Sequence, residues 1–267
     1  MQISGKVELG FEPVRELFTR SLTSKRDRNA QLCVYVGENR VVDLWATNGA
    51  EPFSPDSLVN VFSSGKSIEC ILLAMLADQG LLNFAERVAT YWPEFVGSQK
   101  DKDRLTVADV MRHEAGLASL NITLSPEQLT ASALKQNAVG QVLEQHPLRF
   151  AGASGSPREY HAITRGWIAN EIFRRVEPTG RTMGEFLRDE VSLPLGIDVY
   201  FDVTDDQAEN ICRVQARRWG AQLLDSFAPG SQARSIGLTP TEMLTRMRRI
   251  LPSVRRLRRM QKPMPMT

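Results

Sequence analysis

Ser63 and Lys66 form the pair of side chains in this sequence that is most suited to chemistry, in the pattern S-x-x-K. A serine and a lysine three residues apart on the first turn of a helix lie on one face, so the amine can reach the hydroxyl and take its proton. The start of the helix also favours an alkoxide and disfavours a charged lysine. The pattern predicts acyl-transfer chemistry with Ser63 as nucleophile; Ser64 competes for that role but has no lysine at plus three.

A second S-x-x-K pattern, at residues 132–135, shows how weak four residues are by themselves. It lies inside a polar helical stretch with no strand-like run before it, so we interpret Ser132 as helix surface. Ser63 has a different context, because an extended apolar run precedes it at residues 58–62 and apolar positions at helical spacing follow it at residues 68–82. The alternative is that Ser63 only caps the helix.

The elements that must position this pair can be predicted from turn residues and periodicity. Residues 12–22 are typical of a helix, and the extended runs 32–36 and 41–45, joined by a Gly-Glu-Asn turn, indicate a hairpin. From residue 63 to about residue 195 the pattern is mainly helical, and residues 196–203 form a short extended stretch. This order favours a helical domain inserted into a sheet domain.

The segment from Val61 to Phe95 resembles the nucleophile helix and following turn of the serine β-lactamase and penicillin-binding-protein superfamily, most closely its esterase-like branch. Residues 105–117, LTVADVMRHEAGL, resemble the family segment L-T-V-x-x-L-L-x-H-x-S-G-L. The resemblance implies an α/β fold of the β-lactamase/transpeptidase type, with an antiparallel sheet flanked by helices and a large helical insertion.

The second catalytic element of that family is a tyrosine followed two residues later by Asn or a small residue, and Tyr160-His161-Ala162 is similar to it. The resemblance implies that Tyr160 is the general base for Ser63 and later the acid for the leaving group, with Lys66 sharing its proton. Two cationic neighbours would be needed to bring a phenol pKa from about 10 toward neutrality. Only Lys66 can be identified as one of them.

The third family element, K-T-G or H-x-G on a strand that lines the site, is absent after Tyr160. Lys262 is the only later lysine, and no histidine follows His161. We therefore expect a C-terminally truncated member whose last sheet strands are missing. Losing one oxyanion donor costs about 100- to 1,000-fold in turnover, so the alternative to a weak hydrolase is a catalytically silent scaffold or interaction protein.

These patterns predict four segments. Residues 1–62 would carry the first helix and hairpin of the sheet domain, and residues 63–195 the helical domain with both motifs. Residues 196–238 would be an extended and loop segment. Residues 239–267 would be a basic amphipathic tail.

Composition is that of an ordinary globular protein, with 267 residues, 42% hydrophobic and 24% charged. A net charge of +2 does not indicate a nucleic-acid binder. Cys33, Cys70 and Cys212 are widely spaced and are expected to be reduced, buried thiols. Since no leader pattern and no apolar run of membrane-spanning length occurs, we expect a cytoplasmic protein without a membrane span.

The tail begins with a good helix start at Thr239-Pro240-Thr241-Glu242 and alternates apolar residues with many arginines. Such a helix could lie on an anionic membrane surface or bind an acidic partner. Pro252 interrupts the pattern, and the simpler interpretation is a surface helix packed on the core. Homo-oligomers that complete one another's sheets are a further alternative.

The histidines near these motifs are not predicted to be catalytic. His113 lies in RHEAGL, which lacks the second histidine of a zinc motif, so metal catalysis is disfavoured. His161 is adjacent to Tyr160, and neighbouring helical residues point about 100° apart, which favours a structural or substrate-lining role. The sequence therefore predicts acyl transfer by Ser63, Lys66 and Tyr160 on a small ester or amide substrate, with no metal and no cofactor.

Overall fold

The structure is a computed structural model. It describes residues 1–24, 28–150, 157–203, 207–208 and 211–214. Two units are described separately: the first contains Met1–Gly65 and Gly184–Arg213, and the second contains Lys66–Met183. The predicted basic tail at residues 239–267 lies outside the described residues.

The first unit is built on an antiparallel sheet of three strands in the order β1-β3-β2. Its elements are β1 (Gln2–Val7), α1 (Glu12–Ser24), β2 (Asn29–Val36) and β3 (Asn39–Thr47). A second, short sheet pairs β4 (Leu58–Val59) in parallel with β5 (Ile211–Cys212). The predicted first helix and hairpin are confirmed.

The core of this unit follows from the alternation of side chains along β3. Val42, Leu44 and Ala46 point to the same face and are buried. Apolar side chains on and beside α1, including Phe11 and Phe18, pack against the buried strand residues. Burying a side chain such as Leu44 contributes about 1.5–3 kcal/mol, so this face holds α1 on the sheet.

Strand β1 was not predicted, because Gly5 interrupts its apolar pattern. The structure requires glycine there: Gly5 has a φ of +103°, and a Cβ would lie 2.0 Å from the carbonyl oxygen of Asp43 on β3. Glycine generally weakens a strand, but here the missing side chain of Gly5 allows the backbones of β1 and β3 to approach each other.

The expected extended stretch at residues 196–203 carries no strand, and among the described residues β4 pairs with Ile211–Cys212. The expectation of buried cysteines was wrong at two positions: the cysteines are free thiols, but Cys33 in the first unit and Cys70 in the second are exposed. Cys33 is exposed because it lies on the outward side of β2, where exposure alternates.

The second unit is helical. Its elements are α2 (Gly65–Asp78), α3 (Val88–Tyr91), α4 (Val107–Met111), α5 (Ala131–Lys135), α6 (Ala138–Gln145) and α7 (Thr164–Val176), with α8 (Met183–Phe186) and α9 (Leu193–Leu195) following along the chain. None of the helices within the described ranges is long and apolar enough to cross a membrane.

Helix α2 carries the predicted apolar stripe. Leu72, Leu73 and Leu76 are fully buried, and Gly80 follows the helix with a left-handed φ of +72°, the usual chain reversal after a helix end. Trp92 and Phe95 are also fully buried, with ring centroids 4.9 Å apart. The two aromatic residues are therefore part of the core. The buried leucines hold α2 in place, and with it the first turn that carries Lys66.

Candidate active site

Ser63 lies in a tight turn between β4 and α2. The turn is the 3₁₀ segment Phe62–Ser64, and Ser63 is exposed. Phe62 has a φ of +47°, a left-handed conformation that is strained for a bulky residue. Backbone strain of this kind clusters at functional sites because the surrounding structure must hold it in place. The pairing of β4 with β5 holds the lead-in to this turn.

Lys66 is the second residue of α2, and its amine contacts the segment that carries Tyr160. Its Nζ donates a hydrogen bond to the carbonyl oxygen of Ala162 over 2.7 Å and lies 5.3 Å from the centroid of the Tyr160 ring. The ammonium therefore places positive charge beside the phenol and also ties the tyrosine's backbone to α2.

Tyr160 lies in an irregular segment, since α7 begins only at Thr164. Its side chain is 53% exposed. The expectation that Tyr160 and His161 are neighbours within a helix was therefore wrong. Helix α7 begins after them, and its first residue is held by a hydrogen bond in which the Thr164 hydroxyl donates to the carbonyl oxygen of Leu117 over 2.6 Å.

Arg165 and Glu69 form a buried ion pair between α7 and α2. Nη2 of Arg165 lies 2.9 Å from Oε2 of Glu69, and their side chains are only 6% and 14% exposed. The same nitrogen donates to the backbone carbonyl oxygen of Lys66 over 2.9 Å. Arg165 therefore holds the first turn of α2 through the backbone of Lys66, the lysine of the motif.

His161 is fully buried below Tyr160, and its two ring nitrogens have opposite roles. Nε2 accepts a hydrogen bond from the backbone N–H of Leu117 at 3.0 Å. The ring proton is therefore on Nδ1, which donates to the carbonyl oxygen of Glu159 over 2.6 Å. Burial lowers the pKa of His161, which agrees with a neutral ring. Of the two roles expected for His161, structural or substrate-lining, the buried ring with two backbone partners favours the structural one.

His113 contacts both residues of the Tyr160-His161 pair. Its ring centroid lies 4.7 Å from that of Tyr160 and 5.6 Å from that of His161. Its Nδ1 accepts from the backbone N–H of His161 at 3.0 Å. Burial, and next the positive charge of Arg165, lower the pKa of His113 to about 4. His113 is thus a neutral acceptor near neutral pH.

The structure thus brings Lys66 and Tyr160 together in the second unit. Ser63 belongs to the first unit, at the turn before α2. Among the described residues, no group of three or more His, Cys, Asp or Glu side chains is placed to hold a metal ion. Sequence reasoning missed Arg165 and Glu69. The available signal was weak: Glu69 follows Lys66 by three residues, and Arg165 follows Tyr160 by five.

This chain is similar in sequence to known proteins. The profile of the Beta-lactamase family matches residues 14–239. A protein of Mycobacterium tuberculosis, Esterase/beta-lactamase LipL, is 33% identical over 201 residues, which is 74% of this chain and 44% of that protein.

Solved structures give the same picture. A penicillin-binding-protein homologue from Caulobacter crescentus superposes with a TM-score of 0.71 at 32% identity, over 81% of this chain and 57% of that one. A family VIII carboxylesterase gives 0.68 at 28% identity, over 79% and 57%. The chain therefore spans about half the length of the proteins that it resembles. The predicted β-lactamase/transpeptidase-like fold is confirmed.

Proposed function

The chain belongs to the Beta-lactamase family, and from this premise we propose that it is a serine hydrolase of the esterase type that works through an acyl-enzyme. One observation carries the proposal beyond the family: the amine of Lys66 lies 5.3 Å from the centre of the Tyr160 ring. These two side chains come from positions 94 residues apart, one in the S-x-x-K pattern and one in the tyrosine motif.

In the proposed reaction, Ser63 is the nucleophile. Its Oγ attacks the substrate carbonyl carbon while its proton passes to the Tyr160–Lys66 pair, and the same pair returns a proton to the departing alcohol or amine as its bond to the carbonyl carbon breaks. Water then attacks the acyl carbonyl carbon and gives up a proton to the pair. The pair returns this proton to Oγ of Ser63 as the bond between the acyl carbon and Oγ breaks, which releases the acid and regenerates the serine and the base. The positive charge of Lys66 beside the ring favours the phenolate that this cycle requires.

In the proposed reaction the oxyanion accepts one hydrogen bond from the backbone N–H of Ser63, in the turn before α2. The sequence contains no K-T-G or H-x-G after Tyr160 to supply the second. Loss of one such donor costs about 100- to 1,000-fold in turnover, so we expect slow hydrolysis by this chain.

Small carboxylic esters are the proposed substrates, with amides as the second choice. Support comes from two relatives that are named as esterases, Esterase/beta-lactamase LipL and a family VIII carboxylesterase. An ester also needs less leaving-group protonation than an amide, because an alcohol is a better leaving group than an amine.

The second candidate is a catalytically silent family member. It is favoured by the hydrogen bond from Lys66 to the carbonyl oxygen of Ala162, 2.7 Å long, which is a structural use of the amine, and by the missing third motif. In that case Lys66 and Tyr160 would stabilise the fold around α2 and α7 without moving protons.

Intact mass after incubation with a fluorophosphonate separates the two. The chain offers a matched control, since Ser132 also begins an S-x-x-K pattern and is exposed on α5. We expect one adduct per chain in the native protein and in Ser132→Ala and Ser64→Ala, and none in Ser63→Ala. Equal labelling of Ser63→Ala, or no labelling of a chain shown to be folded by circular dichroism, would reject the hydrolase.

A further inference from the structure

We propose that His113 and His161 are positioning residues that together form a neutral histidine latch, which holds the backbone of residues 159–161 and thereby the Tyr160 ring. The inference rests on the proposed function for its catalytic consequence. Neither histidine is expected to touch substrate. Their role is to fix where the general base lies relative to the amine of Lys66.

The first half of the latch is His161. It is fully buried, and it bridges two backbone segments, accepting from the Leu117 N–H at Nε2 and donating from Nδ1 to the Glu159 carbonyl oxygen. The segment after α4 is thereby joined to the residue before Tyr160. Because the two nitrogens have opposite roles, only one neutral tautomer satisfies both bonds.

The second half is His113, which uses its backbone and its ring on the same segment. Its carbonyl oxygen accepts from the Glu159 N–H at 3.1 Å, and its Nδ1 accepts from the His161 N–H at 3.0 Å. Tyr160 is therefore bracketed by two hydrogen bonds that the backbone N–H groups of its neighbours donate to one residue. His113 itself has a left-handed φ of +66°.

Every bond of the latch requires unprotonated acceptor nitrogens. A proton on Nδ1 of His113 would face the His161 N–H, and a proton on Nε2 of His161 would face the Leu117 N–H. In each case a donor would meet a donor, and a buried hydrogen bond would be lost.

Burial is the main cause that keeps both rings neutral. His113 also faces Arg165 of α7, the ring of His161, Lys66 of α2 and Arg158, which act in the same direction, so its pKa falls to about 4. At His161 the hydrogen bond to the Glu159 carbonyl oxygen and the Glu159 charge oppose burial, Arg165 adds to it, and the pKa is lowered. The latch is thus closed at neutral pH and opens in acid.

The test replaces each histidine with the amide that keeps its acceptor atom. Asn places Oδ1 near the position of Nδ1, so His113→Asn keeps the acceptor for the His161 N–H, and Asn also tolerates a left-handed φ. Gln places Oε1 near the position of Nε2, so His161→Gln keeps the acceptor for the Leu117 N–H. The exchanged amides, His113→Gln and His161→Asn, are the matched controls.

We expect His113→Asn and His161→Gln to keep the rate of Ser63 labelling by a fluorophosphonate within a few-fold of the native rate. His113→Gln, His161→Asn and His113→Gly should lose about 10- to 100-fold, as a misplaced general base does. As the pH falls from about 6.5 to about 4, the rate of His113→Asn relative to the native protein should rise, because the amide cannot be protonated. Equal losses in all five variants, or a pH-independent ratio, would overturn the proposal.

A second readout does not depend on activity. Nitrogen-15 spectra of the histidine rings in the native protein should show Nδ1–H at His161 and Nε2–H at His113. Amide exchange at Leu117 and His161 should stay slow in the acceptor-keeping variants and become fast in the controls. If the native chain is never labelled, the hydrolase falls and the latch is judged by these spectra alone; the opposite tautomers or unchanged exchange would reject it.

Discussion

The two S-x-x-K segments of this chain have the same side-chain spacing and different surroundings. Ser132 and Lys135 lie in α5, a helix of five residues, where the Ser132 hydroxyl accepts a hydrogen bond from Gln136, four residues away. Lys66 instead donates to Ala162, 96 residues away. The hydrogen bond of Ser132 joins residues one helical turn apart, whereas that of Lys66 joins residues far apart in the sequence.

The first motif is distinguished by the partners of Lys66 and not by the S-x-x-K pattern itself. Arg165 binds the backbone carbonyl oxygen of Lys66 and pairs with Glu69 one turn further along α2. The amine of Lys66 then lies at Tyr160. Because helix spacing alone gives a lysine a serine neighbour, the distant base and the buried arginine are what separate a candidate site from a surface helix.

Replacement of Lys66 should give the largest effect. Lys66→Met keeps the length of the stem but removes both the charge beside Tyr160 and the bond to Ala162, so we expect hydrolysis of a short-chain p-nitrophenyl ester to fall about 1,000- to 10,000-fold. Lys135→Met, the matched change in the other motif, should leave the rate within twofold. Comparable losses in the two variants would erase the distinction between the motifs.

Removal of the phenolic hydroxyl should have the next largest effect. Tyr160→Phe keeps the ring beside His113 and Lys66, so about a 100- to 1,000-fold loss in kcat is expected from lost proton transfer, with little change in the urea midpoint. Tyr200 donates to Asp198 in the first unit, and Tyr200→Phe serves as the control. A Tyr160→Phe protein with native kcat would show that the tyrosine is not the base.

Breaking the buried ion pair should appear in stability. Arg165→Met leaves the Glu69 carboxylate without its partner at 14% exposure, and we expect the free energy of unfolding in urea to fall by about 3–5 kcal/mol. Arg104→Met breaks a pair whose side chains are 64% and 59% exposed and should cost at most about 1 kcal/mol. Equal costs would mean that Arg165 does not hold α2.

The stability of the native chain should depend on pH through the latch. His113 has a folded pKa of about 4, against about 6.5 in an unfolded chain. Between these values the unfolded chain binds a proton that the folded chain does not, so stability is complete above about pH 6.5 and is lost as the pH falls toward 4. His113→Asn should flatten this slope in urea titrations at about pH 4.5 and 7.5; an unchanged slope would assign the dependence to other groups.

The fold could be predicted where local signals agree with distant contacts. The helix from Glu12 and the hairpin strands have alternation or periodicity that matches their buried faces, and the family resemblance gave the architecture that the solved structures confirm. Strand β1 could not be predicted, since its Gly5 is explained only by the Asp43 carbonyl oxygen across the sheet.

The site could be predicted only in part. The resemblance named Lys66 and Tyr160, which the structure places together, while the catalytic roles of Ser63, Lys66 and Tyr160 stay predictions. Arg165 and the tautomer of His161 were out of reach, because both depend on backbone groups brought in by the fold: the carbonyl oxygen of Lys66 and the N–H of Leu117.

The smallest predicted effect concerns the cap of the second motif. Thr130 is the N-cap of α5, and its hydroxyl accepts from the backbone N–H of Ala133 at 3.3 Å. Thr130→Ala should lower the free energy of unfolding by about 0.5–1 kcal/mol, and Thr130→Ser should restore it. Neither change should alter Ser63 labelling, because the proposed site contains neither Ser132 nor Lys135. Slower Ser63 labelling in Thr130→Ala would show that the stability of α5 affects the reactivity of Ser63. The two motifs would then be coupled parts of one site.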